Sequence, residues 1–125
     1  MVLRIDLDLF ATDVGGRRRP LPDGYRASMS FGRRRRGIEP IVHDAILVLE
    51  DVAELPPGHR AIARAWVLLP DELPREVAEG TVFTLLEGDR LVARAEVLGV
   101  YDDPAPFPVR DLAAAKTRRL QARLP

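Results

Sequence analysis

Leu3, Ile5, Leu7 and Leu9 alternate with Arg4, Asp6 and Asp8, the two-residue period of a strand with one buried and one wet face. Asp13 to Gly16 breaks the period, and residues 17–24, basic and proline-containing, read as a loop. Alternation resumes with Tyr25, Ala27, Met29 and Phe31, which predicts a second strand. Residues 32–37 form an arginine-rich connection between Gly32 and Gly37. The run from Ile41 to Leu49 is the most apolar, and its length and β-branched content favour a buried strand over a helix. Pro56-Pro57-Gly58 then turns the chain. Residues 60–69 alternate again, Ala61, Ala63, Ala65, Val67 and Leu69 against Arg64 and Trp66, although alanine has little preference for strands. A polar loop follows at 70–80, with one helical turn expected at 76–79. Residues 81–86 and 91–100 flank Glu87-Gly88-Asp89-Arg90, the signature of a β-hairpin. Six strands at short spacing, with no helix between them, make the chain all-β, a barrel or a sandwich.

The end of the chain is different. Residues 102–108 hold three prolines and read as a stiff linker. From Val109 to Leu124 the pattern is helical: Pro108 suits a first turn, Asp111 lies near the positive end of the dipole, and Arg118, Arg119 and Arg123 lie near the negative end. Val109, Ala113, Leu120 and Leu124 fall on one narrow stripe. The division is thus a β domain at 1–101, a linker at 102–108 and an amphipathic helix at 109–125. That helix docks on the β domain or on a second copy, so a homodimer through it is one expectation.

Composition narrows the function. A chain of 125 residues makes one domain. Nineteen basic residues balance nineteen acidic ones, so a bulk polycation is excluded and a nucleic-acid site would be a local patch. The absence of cysteine excludes a disulfide framework, a thiol nucleophile and a thiolate metal site. No apolar run reaches the roughly 20 residues of a membrane span. Met1 leads directly into a strand pattern, so no signal peptide is expected and the expected location is cytoplasmic. Among the basic residues only Lys116 is a lysine; the arginines offer forked contacts to phosphate or carboxylate, or record a GC-rich genome.

No reactive constellation emerges, so the chain reads as a non-enzyme without cofactor or metal. His43 and Asp44 are strand neighbours and point to opposite faces. His59 follows a turn, and two histidines supply too few metal ligands. Glu50-Asp51 and Asp102-Asp103 fit turn acidity better than a carboxylate pair in a pocket. Ser28 and Ser30 have no nucleophile-elbow context, and Gly15-Gly16-Arg17 lacks the lysine-serine or lysine-threonine ending of a phosphate loop. What remains is Arg17, Arg18 and Arg19 in one loop and Arg33, Arg34, Arg35 and Arg36 in another. The two loops flank the strand at 25–31, about 20 Å apart if it is extended. Two readings stand: the guanidinium groups grip a nucleic-acid backbone, or they are solvated and bind the chain's own carboxylates. The first requires them to converge on one side of the molecule.

Gly15-Gly16-Arg17-Arg18-Arg19-Pro20, then Gly24-Tyr25-Arg26 and Phe31, resembles the C-terminal β-barrel domain of translation elongation factor Tu. The stretch from Leu47 to Gly58, the strand Gly80 to Leu86 with Phe83, and Glu87-Gly88-Asp89-Arg90 with Val92-Ala93 fit the same pattern, so the resemblance covers about residues 3–100. It implies a six-stranded antiparallel β-barrel. It also implies a surface that holds tRNA, at Arg17, Arg18, Arg19, Arg36, Glu87 and Gly88, and a face that docks on a GTPase domain. The chain departs from the family at Arg18 and Arg19, where His and Thr are usual, at Asp89, which replaces a glycine, and in its four-arginine loop before Gly37. A GTPase domain and a second barrel are missing, and residues 109–124 lie outside the resemblance. The expectation is therefore a freestanding relative of one elongation-factor domain that binds tRNA or ribosomal RNA. The alternative is a protein-interaction module that docks on a GTPase, on another partner, or on itself.

Overall fold

A computed structural model describes residues 1–122. The strands are β1 (Val2–Leu9), β2 (Leu21–Pro22), β3 (Tyr25–Arg35), β4 (Glu39–Leu49), β5 (Glu54–Leu55), β6 (Arg60–Val67), β7 (Val82–Glu87) and β8 (Arg90–Tyr101), followed by helix α1 (Phe107–Ala122). Six of them close an antiparallel barrel in the order β1-β6-β4-β3-β7-β8, with β8 pairing back onto β1. The expected six-stranded antiparallel barrel is the architecture observed.

The alanine-rich strands follow from that closure. A six-stranded barrel has a narrow lumen, so large side chains on one strand need small ones on the next. β1 fills the lumen with Leu3, Ile5, Leu7 and Leu9, all fully buried. Its neighbours answer with alanine: Leu3 lies opposite Ala65, Ile5 opposite Ala63 and Leu7 opposite Ala61 on β6, and Leu7 and Leu9 lie opposite Ala95 and Ala93 on β8. Weak strand preference at these alanines is overridden by the volume they must leave free. Met29, Leu47, Phe83, Leu85 and Val92 complete the core.

Each end of the barrel is sealed. At one end β2 and β5 form a two-residue ladder that buries Leu21 against Leu55. At the other, the 70–80 connection lays Leu73 and Val77 on the core beside Phe31 and Phe83. That connection opens with a 3₁₀ turn at Pro70–Glu72, whereas the helical turn expected at 76–79 is absent. A second 3₁₀ turn, Thr12–Val14, lies within the break after β1.

Helix α1 begins at Phe107, two residues before its expected start, and the linker shortens to 102–106. It docks on the outside of its own barrel, where Val109 packs with Val2, Ile46, Trp66 and Leu68. Lys116 adds an ion pair to Asp44 on β4. Burial works against the Asp44 carboxylate, but hydrogen bonds from Lys116 and Arg26 outweigh it and hold the carboxyl below its usual range. Of the predicted apolar stripe, Val109 is buried and Leu120 is 37% exposed, while Leu124 lies outside the described residues.

Candidate nucleic-acid interface

The first arginine loop is built around glycine. Gly15 ends the Thr12–Val14 turn with a left-handed φ of 95°, a conformation that disfavours a side chain. Gly16 then passes so close to the chain just after β1 that a Cβ would sit 2.1 Å from the Phe10 carbonyl oxygen. This places Arg17 over the Tyr25 ring, its guanidinium carbon 4.9 Å from the centroid. Arg17 Nη1 donates to Glu87 Oε2 at 2.5 Å, and Tyr25 Oη donates to the same oxygen at 2.9 Å. Arg17 Nε and Nη2 donate to the Arg19 and Pro20 carbonyls, at 3.2 and 3.4 Å. Every side of this guanidinium is therefore engaged, and its side chain is only 14% exposed. The Gly-Gly-Arg, Gly-Tyr-Arg and Glu-Gly segments thus meet as one bracing cluster between the first loop, β3 and the β7–β8 hairpin.

Arg18 and Arg19 leave this cluster and are exposed. With Arg17, Glu87 and Arg90 they line a shallow depression of about 230 Å³. Gly88 turns the hairpin beside it with φ 65°. Arg90, which the sequence reading left out, reaches toward the Gly16 carbonyl at 3.5 Å; its place beside Gly88 and Asp89 was the available signal.

Tyr25 also carries the cluster's pH response. Burial and the hydrogen bond to Glu87 push its phenol up to about 12. An unfolded tyrosine titrates near 10, so the folded state retains the proton longer. This stabilisation is complete below about pH 10 and is lost as pH rises toward 12, on the order of 2 kcal/mol. Urea midpoints should therefore fall between about pH 9 and about pH 11.5, and Tyr25→Phe should flatten that fall. An unchanged slope in the variant would place the alkaline loss elsewhere.

The second arginine segment is not a loop. β3 continues to Arg35 and β4 begins at Glu39, so Arg33, Arg34 and Arg35 belong to a strand and only residues 36–38 turn. Beyond Ser30 the two strands leave the barrel as a ribbon, with Arg34 opposite Pro40 and Arg35 opposite Glu39. A bulge lies at its root, where Gly32 takes φ 81°; such bulges bend a strand and sharpen its twist. Residues 32–40 are all exposed. At the tip Arg36 and Gly37 both have positive φ, 53° and 73°, and Ile38 N donates to the Arg35 carbonyl at 3.2 Å. That is the primed turn favoured by tight hairpins, with arginine where Asn or Gly costs less.

The four arginines differ in their partners. Arg33 pairs with Glu76 of the 70–80 connection at 2.6 Å. Arg34 Nη1 braces the turn by donating to the Ile38 carbonyl at 2.9 Å. Arg35 and Arg36 make no ion pair among the described residues.

The two clusters are well separated along one strand. They sit at opposite ends of β3, roughly 25 Å apart at about 3.3 Å per residue. One compact ligand cannot touch both, whereas an extended backbone can. Comparison with protein-family models and with the curated proteins finds no match for this chain.

Of the other candidates, His43, Asp44 and Glu50 each have partners within the fold. His43 faces the mouth of the barrel, 8% exposed and edge-on to Phe31 at 5.8 Å, and its burial lowers its pKa. Asp44 faces outward, as strand alternation requires. Glu50 accepts from Arg4 Nε and Nη2 at 2.8 and 3.0 Å; these hydrogen bonds hold its carboxyl below its usual range. No group of three or more metal-ligating side chains comes together among the described residues.

Proposed function

We propose that the chain is a non-enzymatic module, related to the elongation factor Tu C-terminal barrel, that grips an RNA backbone. The arginine ribbon at 33–36 is its main contact, and Arg18 and Arg19 are a second. The observation that supports this reading is the ribbon itself: an arm projecting from a closed barrel, carrying four consecutive arginines of which, among the described residues, only Arg33 is held by a carboxylate. Guanidinium forks match phosphate oxygens, and their spread along β3 suits a ligand that runs past the barrel. Arg17 and Glu87 act as positioning residues in this scheme, because they hold the loop that presents Arg18 and Arg19. A tRNA or ribosomal RNA ligand places the module in the cytoplasm and in translation.

Titration of labelled tRNA at rising salt tests the reading. Affinity should fall steeply with salt, with a logarithmic slope of roughly 0.7 to 0.9 per phosphate contact. Replacing Arg34, Arg35 and Arg36 by alanine should cut that slope by about 2 and weaken binding at low salt roughly a hundredfold. Millimolar affinity at low salt, or affinity unchanged when Arg18 and Arg19 are replaced as well, would end the proposal.

A further inference from the structure

Ile38 is 78% exposed at the tip of the arm, between Gly37 and Glu39 and beside Arg35 and Arg36. Its counterpart is a groove of about 680 Å³ between α1 and the Pro70–Glu72 turn. Leu68, Leu69 and Pro70 line one wall, and Leu120, left 37% exposed, lines the other. Asp71 and Glu72 stand exposed on its lip and form no ion pair with described residues. The tip is thus an apolar knob flanked by unpaired arginines, and the groove is an apolar slot flanked by unpaired carboxylates.

We propose that the groove receives the arm tip of a second copy of this chain, with Ile38 seated against Leu69 and Leu120 and with Arg35 and Arg36 meeting Asp71 and Glu72. The chain does not fill its own groove, since residues 32–40 are exposed and Glu76 tethers the arm at Arg33. Arm and groove lie at the same end of the barrel, because the arm leads into β4 and the groove follows β6, which pairs with β4 as far as Val67 opposite Ala45. One twofold axis can therefore satisfy both insertions, giving a closed dimer rather than a filament. Charge opposes charge across the contact, which selects this pairing over arm on arm, where like charges repel.

The inference stands apart from the RNA reading, although both use the arm. A seated arm presents its arginines to carboxylates, so the two engagements exclude each other.

Light scattering behind size exclusion, on the nuclease-treated full chain from about 1 to about 200 µM, reads the assembly. A dimer should grow with concentration, and Ile38→Ser should raise its dissociation constant at least about tenfold. Ile38 is exposed, so the variant keeps its fold. Arg36→Glu and Glu72→Arg should each weaken the dimer about tenfold, and together they should restore it. A monomer at every concentration, a dimer indifferent to Ile38→Ser, or a charge swap without rescue would overturn the proposal. Labelled tRNA titrated into the Ile38→Ser variant, which retains every arginine, reads the RNA interaction separately. Loss of the dimer with tRNA affinity kept or raised supports the arm exchange, and failure to bind tRNA leaves the dimer result standing by itself.

Discussion

Gly16→Ala is expected to destabilise the fold by at least about 3 kcal/mol. The added Cβ would meet the Phe10 carbonyl oxygen at 2.1 Å, the Phe10 carbonyl carbon at 2.6 Å and the Ala11 carbonyl oxygen at 2.7 Å. All three are main-chain atoms, and no rotamer change clears them. They are fixed in turn, since Phe10 N donates to the Val92 carbonyl and Gly16 N to the Ala11 carbonyl, both at 3.0 Å. The loop must therefore lift from the chain at Phe10 and Ala11, and Arg17 loses its place over Tyr25. Gly15→Ala is the control. A Cβ there meets nothing, and only the φ of 95° opposes it, a cost of roughly 1–2 kcal/mol. Urea denaturation of both variants checks the difference. Equal midpoints would mean that the chain does not pass this close at residue 16.

Glu87→Gln is expected to cost about 2–3 kcal/mol and, on the RNA reading, to tighten tRNA binding. The variant preserves shape while removing the charge that holds Arg17, a guanidinium only 14% exposed. A largely buried cation without its carboxylate is more costly than the pair, and Tyr25 loses a charged acceptor. Stability must therefore fall. The positive potential around Arg18, Arg19 and Arg90 rises at the same time, because the nearest carboxylate of the depression is gone. A phosphate ligand at that end should bind several-fold more tightly at low salt, and the gain should vanish at high salt. Thermal melts and tRNA titration of the one variant give both results. Lower stability without tighter binding would mean that the charge of Glu87 does not act on the ligand and that its part is to brace the loop.

The main strands were legible because each presents one face to a core, which writes a two-residue period into the chain. Ala61, Ala63 and Ala65 were legible by position and puzzling by type, since the volume filled by β1 is invisible from β6 alone. The ribbon was misread for a related reason. Beyond Ser30 both faces of β3 are wet, so no alternation remains, and a run of arginines between two glycines looks like a solvated loop. β2 and β5 are two residues each, shorter than any window in which a period can be counted. At the first loop, the spacing singled out Gly16, Arg17, Tyr25 and Glu87, which the fold brings together. It could not show that Arg17 and Glu87, seventy positions apart, face each other. That pairing turns part of a motif that suggests ligand binding into architecture.

The closed sheet also decides where the backbone is vulnerable. Beyond the barrel β3 and β4 pair only with each other: β3 pairs with β7 only as far as Ser30, and β4 pairs with β6 only from Ala45. The outer rims of the ribbon are thus a stretch of this sheet open to a foreign strand. Arginines at 33–35 set mutually repelling charge along one rim, and Pro40 withholds an amide from the other, the devices by which sheets resist stacking into aggregates. Whatever else the guanidinium groups contact, they set charge against the approach of a foreign strand to the rims of an unfinished hairpin.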